Sequence, residues 1–341
     1  MLGLTAAHSA GIYFENHVAA VPICGPSRSS LLLSKFPHNN GYKMNGDIPS
    51  IASFCGPHGH MNDTVGNWLA RAGYYTAFLG KHINNCEWAT EQGWSHWGGL
   101  INTYSFYNAT IHDVDFAEDG KTSTDHGPKS MAGVHQAQFL ADFTVEQAAK
   151  AHKAGKPFFI HTTPVMPHWG TCIGAPGDPG HDYASDDPFW EYSSLHDPLT
   201  GVRAVMPISP CPSHKHRHDF DGQTNKHIAS WNVSASGVVP PWMTQQGLMN
   251  GVGCQSNEST CRPWMNGMGW AKDGKQLDAW DEWREDIGWQ NRSAAVVDLD
   301  DLIDAVFDGF ESMGVLDNTF VFFSSECARL HADDTRLLSL P

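Results

Sequence analysis

The sequence predicts an α/β fold, a three-layer αβα sandwich around a mainly parallel sheet, and two observations carry that expectation. A helical pattern is followed by an apolar strand three times along the chain, and those strands are continuously apolar where a half-exposed strand would alternate. The first unit, TVGNWLARAGYYTAFL at residues 64–79, reads as an amphipathic helix, a stop at Gly73 and a short aromatic-rich strand. In the second, QAQFLADFTVEQAAKAHKAGK has helical spacing and PFFIHTT continues as a buried strand, together residues 136–163. The third runs over residues 294–325: Leu299, Leu302, Ile303, Val306 and Phe310 form one helical stripe, Asp300, Asp301, Asp304 and Asp308 line the wet face, and NTFVFFSS is the strand. Residues 172–290 break this rhythm. They are rich in Gly, Pro, Trp and His, and they read as a long insertion packed over one end of the sheet within a single domain spanning residues 1–341.

Ligands of an open parallel sheet bind outside the carboxyl ends of its strands. That rule singles out residues 80–85, 161–169 and 324–327. With 37 Asp and Glu against 21 Lys and Arg, the net charge of -16 speaks against a nucleic-acid partner, and an anionic substrate needs a local cluster of Lys, Arg or metal. A chain of 341 residues buries a core without a disulfide framework. No apolar stretch approaches the roughly 20 residues of a bilayer span, so no membrane span is expected. The opening MLGLTAAHSAGIYFENH has no basic segment followed by an apolar run, so no signal peptide is expected. The eight cysteines form no CxxC pair, which speaks against a structural zinc site. Sequons at Asn62, Asn108, Asn232, Asn257 and Asn291 suit a glycosylated secretory protein.

Four stretches carry chemistry. The sharpest is Cys24-Gly25-Pro26-Ser27-Arg28, followed by SSLLLSKFPHNNG with Lys35 and His38. Alone, it is also what a buried thiol and a Pro-Ser helix start would look like. GYYTAFLGKHINN at residues 73–85 places Lys81 just past a strand end, where its ammonium can meet an anion. KPFFIHTTPVMPHWG at residues 156–170 ends its strand in a loop holding His168. DNTFVFFSSECA covers residues 317–328.

Taken in order, these stretches resemble the signatures of the formylglycine-dependent sulfatases, arylsulfatases and N-acetylglucosamine-6-sulfatases above all, from about Gly11 to Ala328. The resemblance implies an alkaline-phosphatase-like fold and hydrolysis of a sulfated sugar or aryl sulfate. It implies that Cys24 is oxidised by a formylglycine-generating enzyme, and that the hydrated aldehyde attacks sulfur and then expels sulfate by collapsing back. Arg28 would hold the formylglycine, Lys81, Lys35 and His38 would bind substrate, and His168 would protonate the leaving alcohol or donate to the sulfate. A calcium or magnesium ion would be held by the formylglycine and by Glu326. The chain departs from the family where Glu326 and Cys327 replace Asp and Asn and Ala328 replaces Gly; Cys is a soft ligand poorly matched to such ions. Nothing in the first 17 residues replaces the apolar strand and Asp pair with which the family opens, and the chain stops at LLSLP where the family continues. The resemblance therefore implies a sulfatase domain short at both ends, weakly active or inactive as it stands, from the secretory pathway, extracellular or lysosomal.

HKHRH at residues 214–218 reads as a solvated loop ahead of a metal tract. Asp298, Asp300 and Asp301 could suggest a replacement metal pair, but helical spacing makes Asp300, Asp301 and Asp304 a wet face, which speaks against it. The tryptophans of residues 190–289 suit core packing ahead of sugar stacking. Two other functions compete: a catalytically impaired relative that binds sulfated glycans, favoured by Glu326 and Cys327, and a phosphatase or phosphodiesterase of the same fold, which the Cys-Gly-Pro-Ser-Arg stretch opposes.

Overall fold

The computed structural model describes residues 11–170 apart from 13, 15, 16 and 88, together with 210–224 and 279–326. Among the described residues four helices lead into the sheet: α1 (Cys24–Leu33), α2 (Pro37–Asn40), α3 (Ile48–Cys55) and α4 (Val65–Arg71). Each start has a local cause. In α1, Pro26 sits in the first turn, where its missing N–H belongs to the four that a helix leaves unpaired. Asp47 caps α3 by accepting from the Ser50 amide at 3.0 Å, and Thr64 and Asn67 form a reciprocal capping box on α4.

Five strands follow: β1 (Tyr75–Gly80), β2 (His96–Leu100), β3 (Thr110–Phe116), β4 (Ser123–Ser130) and β5 (Phe158–Thr163), in the order β4-β3-β2-β1-β5. β2, β1 and β5 are mutually parallel, and β3 and β4 extend the sheet as an antiparallel pair. Helix α5 (Gln136–Lys153) crosses back before β5, and α6 (Ala279–Ser312) packs beside it. The close approach of the two helices rests on Gly309, where a Cβ would stand 2.5 Å from a methyl of Val145.

Successive residues of β1 point to opposite faces, and both faces are dry. Phe78 enters a cluster with Leu32 and Leu33 of α1, Phe54 of α3, Trp94 and Trp97, stacking on Trp97 at 4.5 Å. Leu79 enters a second cluster with Leu140 and Phe143 of α5 and Leu299 and Leu302 of α6. Helices on both faces of a sheet that is parallel through its centre make the expected three-layer α/β sandwich.

Several local expectations change. The helix read from residue 294 already begins at Ala279, so residues 279–290, assigned to the insertion, are its first turns. Residues 171–209 and 225–278 of that insertion lie outside the described residues. The third strand does not form among the described residues: after a 3-10 turn at Leu316–Asn318 the chain continues without joining the sheet, and Phe320 is 93% exposed. An apolar run specifies a strand only where a neighbouring edge receives its backbone hydrogen bonds. Asp300 is not on a wet face but 2% exposed, as is Asp298, whose carboxylate accepts from the Ser213 amide at 2.8 Å. The HKHRH tract is docked on the same helix. His216 lies 2.9 Å from Asp301 and 2.6 Å from Asp219; burial pulls its pKa down, but these two carboxylates carry it above the ordinary value. Asn291 is buried in α6, which leaves no room for a glycan.

A disulfide joins Cys55 at the end of α3 to Cys86 in the turn after β1, 31 residues on, and Cys211 is also in a disulfide. Cutting a cross-link of that span by Cys55→Ala with Cys86→Ala should lower stability by about 3–4 kcal/mol. Chemical denaturation under non-reducing conditions measures this, and a loss below about 1 kcal/mol would show that the turn is held without it.

Candidate active site

The site is built where β1 and β5 end. Gly80 takes φ +109°, a conformation that favours glycine, and a Cβ there would meet the Thr163 carbonyl oxygen at 2.3 Å. The chain then continues the ladder for one residue. The Lys81 amide donates to Thr163 O at 2.8 Å, and Lys81 O accepts from Thr163 Oγ1 at 2.8 Å and from Arg28 Nη1 at 2.7 Å. The Lys81 side chain, 3% exposed, stands over the first turn of α1, with Nζ 3.3 Å from Cys24 Sγ and 3.5 Å from Glu326 Oε1. Arg28, one turn along α1 from Cys24, forms an ion pair with the same Glu326 carboxylate.

Cys24, Arg28, Lys81 and Glu326, from three separate stretches of sequence, therefore meet at one point. A buried ammonium requires charged or polar partners, and here the Glu326 carboxylate provides the ionic one. The thiol end is positioned from behind. The Gly25 amide donates to Asn45 Oδ1 at 2.9 Å, and a Cβ on Gly25 would stand 2.2 Å from the Tyr42 ring. Burial, then Glu87 and Cys24, raise the pKa of Tyr42, so its hydroxyl stays a donor, to Asn84 O at 2.6 Å.

His168 lies in the loop after β5. Its Nδ1 is 2.8 Å from Trp169 O; a carbonyl only accepts, so Nδ1 carries hydrogen and Nε2 is the nitrogen that can exchange a proton with a ligand. Its ring stacks on Tyr104 at 4.9 Å, and Lys81 Nζ lies 5.3 Å from the same Tyr104 ring. Lys35 and His38 are not drawn in. Both are exposed; His38 stacks on Phe36 at 5.7 Å, and no hydrogen bond or ion pair among the described residues links either side chain to Cys24, Arg28, Lys81 or Glu326.

Two further buried groups support the site. Glu91, fully buried, lies 2.6 Å from His82 Nε2 through one oxygen and accepts from Thr64 Oγ1 at 3.0 Å and Trp94 Nε1 at 2.7 Å through the other. Those partners offset its desolvation and anchor the residue next to Lys81. His161 projects from β5 against Phe78, and its buried Nδ1 has no hydrogen-bond partner. Burial, then the Arg28 guanidinium and His82, push its pKa from the ordinary 6.5 down to about 4.

Calcium takes six to eight oxygen donors and magnesium six. Among the described residues no three His, Cys, Asp or Glu side chains converge on such a point. The carboxylate at the site, Glu326, is already paired with two cations, and Cys24 faces the Lys81 ammonium. The described residues thus do not fit a divalent cation held by Cys24 and Glu326. They form an anion site occupied by a carboxylate.

A family model described as Sulfatase matches residues 3–326. An arylsulfatase of Volvox carteri is 23% identical over 330 residues, 93% of this chain and 41% of its own length. An N-acetylglucosamine-6-O-sulfatase of Bacteroides thetaiotaomicron is 35% identical over 117 residues, 34% of this chain and 18% of its own. A solved structure in complex with its substrate D-glucosamine-2-N,6-O-disulfate aligns with a TM-score of 0.51 and 20% identity, covering 93% of this chain and 58% of that one. The chain spans less than two thirds of the length of each.

Two outcomes follow from the electrostatics. Glu326→Gln frees the charges of Arg28 and Lys81, and inorganic sulfate should bind about tenfold more tightly by calorimetry; unchanged or weaker binding would show that the carboxylate does not hold the anion position. For His161, the unfolded state binds more protons than the folded state between pH 6.5 and about 4, so stability falls as pH drops through that window. His161→Leu should remove up to about 3 kcal/mol of that loss, read from denaturation midpoints at the two ends of the window.

Proposed function

The chain belongs to the sulfatase family, and on that premise we propose that it hydrolyses the sulfate ester of a sugar or aryl alcohol, with Cys24 as the formylglycine nucleophile. The observation that carries this reading is the Lys81 ammonium 3.3 Å from Cys24 Sγ, with Arg28, one helical turn from Cys24, held by the Lys81 carbonyl at 2.7 Å. As formylglycine, residue 24 supplies a hydrated aldehyde that bonds to sulfur and releases sulfate on returning to the aldehyde, a nucleophile with a built-in exit. Lys81 and Arg28 then set positive charge against the sulfate oxygens, on a site shielded enough for that charge to count. His168, with Nδ1 bound to a carbonyl, presents Nε2 to protonate the leaving alcohol oxygen.

A sulfated amino sugar is the substrate class that the similarities support, through the glucosamine disulfate bound in the solved relative and the 6-O-sulfatase that matches over 117 residues. The Cys55–Cys86 disulfide supports an oxidising compartment, extracellular or within the secretory route, where a formylglycine-generating enzyme acts on the nascent chain. A second reading is favoured by Glu326: the chain binds sulfated glycans without turnover, its anion site filled by its own carboxylate.

The test is expression with a formylglycine-generating enzyme, mass spectrometry of the peptide holding residue 24, and turnover of 4-methylumbelliferyl sulfate and glucosamine 6-sulfate. Conversion of Cys24 with measurable turnover, and a loss of at least about 10³-fold in Cys24→Ala, is expected. A converted residue 24 with glycan binding and no turnover selects the second reading; equal turnover in Cys24→Ala removes the nucleophile from the account.

A further inference from the structure

We infer that Tyr104 is a positioning residue that fixes His168 on the leaving-group side of the site; this rests on the sulfatase reading above. Tyr104 lies in the loop after β2, and β2 runs parallel to β1, as β5 does. It therefore comes from a third carboxyl end of the parallel strands, beside the turn that holds Lys81 and the loop that holds His168.

Its contacts tie those two loops together. Asn84, in the turn after β1, donates to Tyr104 Oη at 3.1 Å, and Lys81 Nζ stands 5.3 Å from the ring centroid, a cation–π distance. On the other loop, His168 stacks at 4.9 Å with planes 25° apart and Trp169 at 4.5 Å with planes 21° apart. The His168 and Trp169 rings are themselves 5.0 Å apart. Rings on opposite faces of Tyr104 would stand well beyond that, so both lie on one face. Tyr104 is thus a single platform carrying the imidazole together with the residue whose carbonyl fixes the imidazole tautomer. Placing a general acid is a matter of fractions of an ångström, and the stack on this ring supplies that restraint.

The consequence is a leaving-group signature. An aryl sulfate departs as a stable phenolate and needs little proton donation; a sugar sulfate departs as an alkoxide and needs it fully. In protein with residue 24 converted, Tyr104→Leu should lower kcat for glucosamine 6-sulfate by about 30-fold or more while kcat for 4-nitrophenyl sulfate stays within about threefold and KM for both changes little. Tyr104→Phe keeps the stack and should bring the sugar-ester rate back to within about threefold of wild type. An equal loss on both esters marks a merely structural residue and overturns the inference, as does no loss on either, or a Tyr104→Phe as impaired as Tyr104→Leu. Wild-type protein that turns over neither ester sinks the sulfatase reading and this inference with it, an outcome distinct from a uniform loss in the variant alone.

Discussion

The parallel pairing of β1 with β5 is the constraint on which the site depends. Its register places Gly80 opposite Thr163, and the ladder then runs one residue further, through the Lys81 amide to the Thr163 carbonyl. A residue beyond a strand end is ordinarily free to wander; this one is held by its amide and twice by its carbonyl. Because one of those carbonyl partners is Arg28, the same interaction that fixes Lys81 also fixes the rotation of α1, and with it Cys24 at the helix start. The thiol, the guanidinium and the ammonium are therefore placed by one piece of backbone geometry.

Charge explains how that geometry is stabilised. A chain with net charge -16 holds at this point two cations that are nearly removed from water. Leaving such charges unpaired costs several kcal/mol, so the fold must bring an anion to them. Glu326 fills that need at the end of a segment whose Phe320 and Phe322 side chains remain 93% and 86% exposed. The carboxylate is held mainly by charge, and little apolar packing accompanies it. A sulfate would meet the same two cations, which makes the internal carboxylate and an external anion competitors for one place.

Much of the frame was readable in the sequence because it depends on local pattern. The apolar runs at Tyr75–Gly80 and Phe158–Thr163 form strands, the second half-buried throughout where the sequence suggests a buried one, and Gln136–Lys153 is helical as its spacing requires. What escaped depends on neighbours distant in sequence. The run at 318–325 has strand composition, yet pairing belongs to the adjacent edge and not to the run itself. Asp300 has the spacing of a wet face, but a helix packed both on α5 and beneath the 210–224 segment has less wet surface than a two-layer pattern assumes. Cys24, Arg28, Lys81 and Glu326 belong to three separate motifs and do meet, whereas Lys35 and His38, only a few residues past Arg28, stay outside because α1 ends at Leu33 and the chain turns into a second helix at Pro37.

The supporting groups Glu91, His161 and Tyr104 show why a site is only partly written in its motifs. A nucleophile or a substrate cation has few chemical alternatives, so its residue type stands out in the sequence. A group that anchors another residue can be replaced by many combinations, and its meaning lies in where it sits. Glu91 is informative because it is fully buried and saturated with donors, His161 because its Nδ1 is buried with no partner beside a guanidinium, and Tyr104 because two loops from parallel strands close on its ring. The part each plays emerges once the sheet has brought the strand ends together, so the fold adds specificity to the site by determining which ordinary side chains surround it.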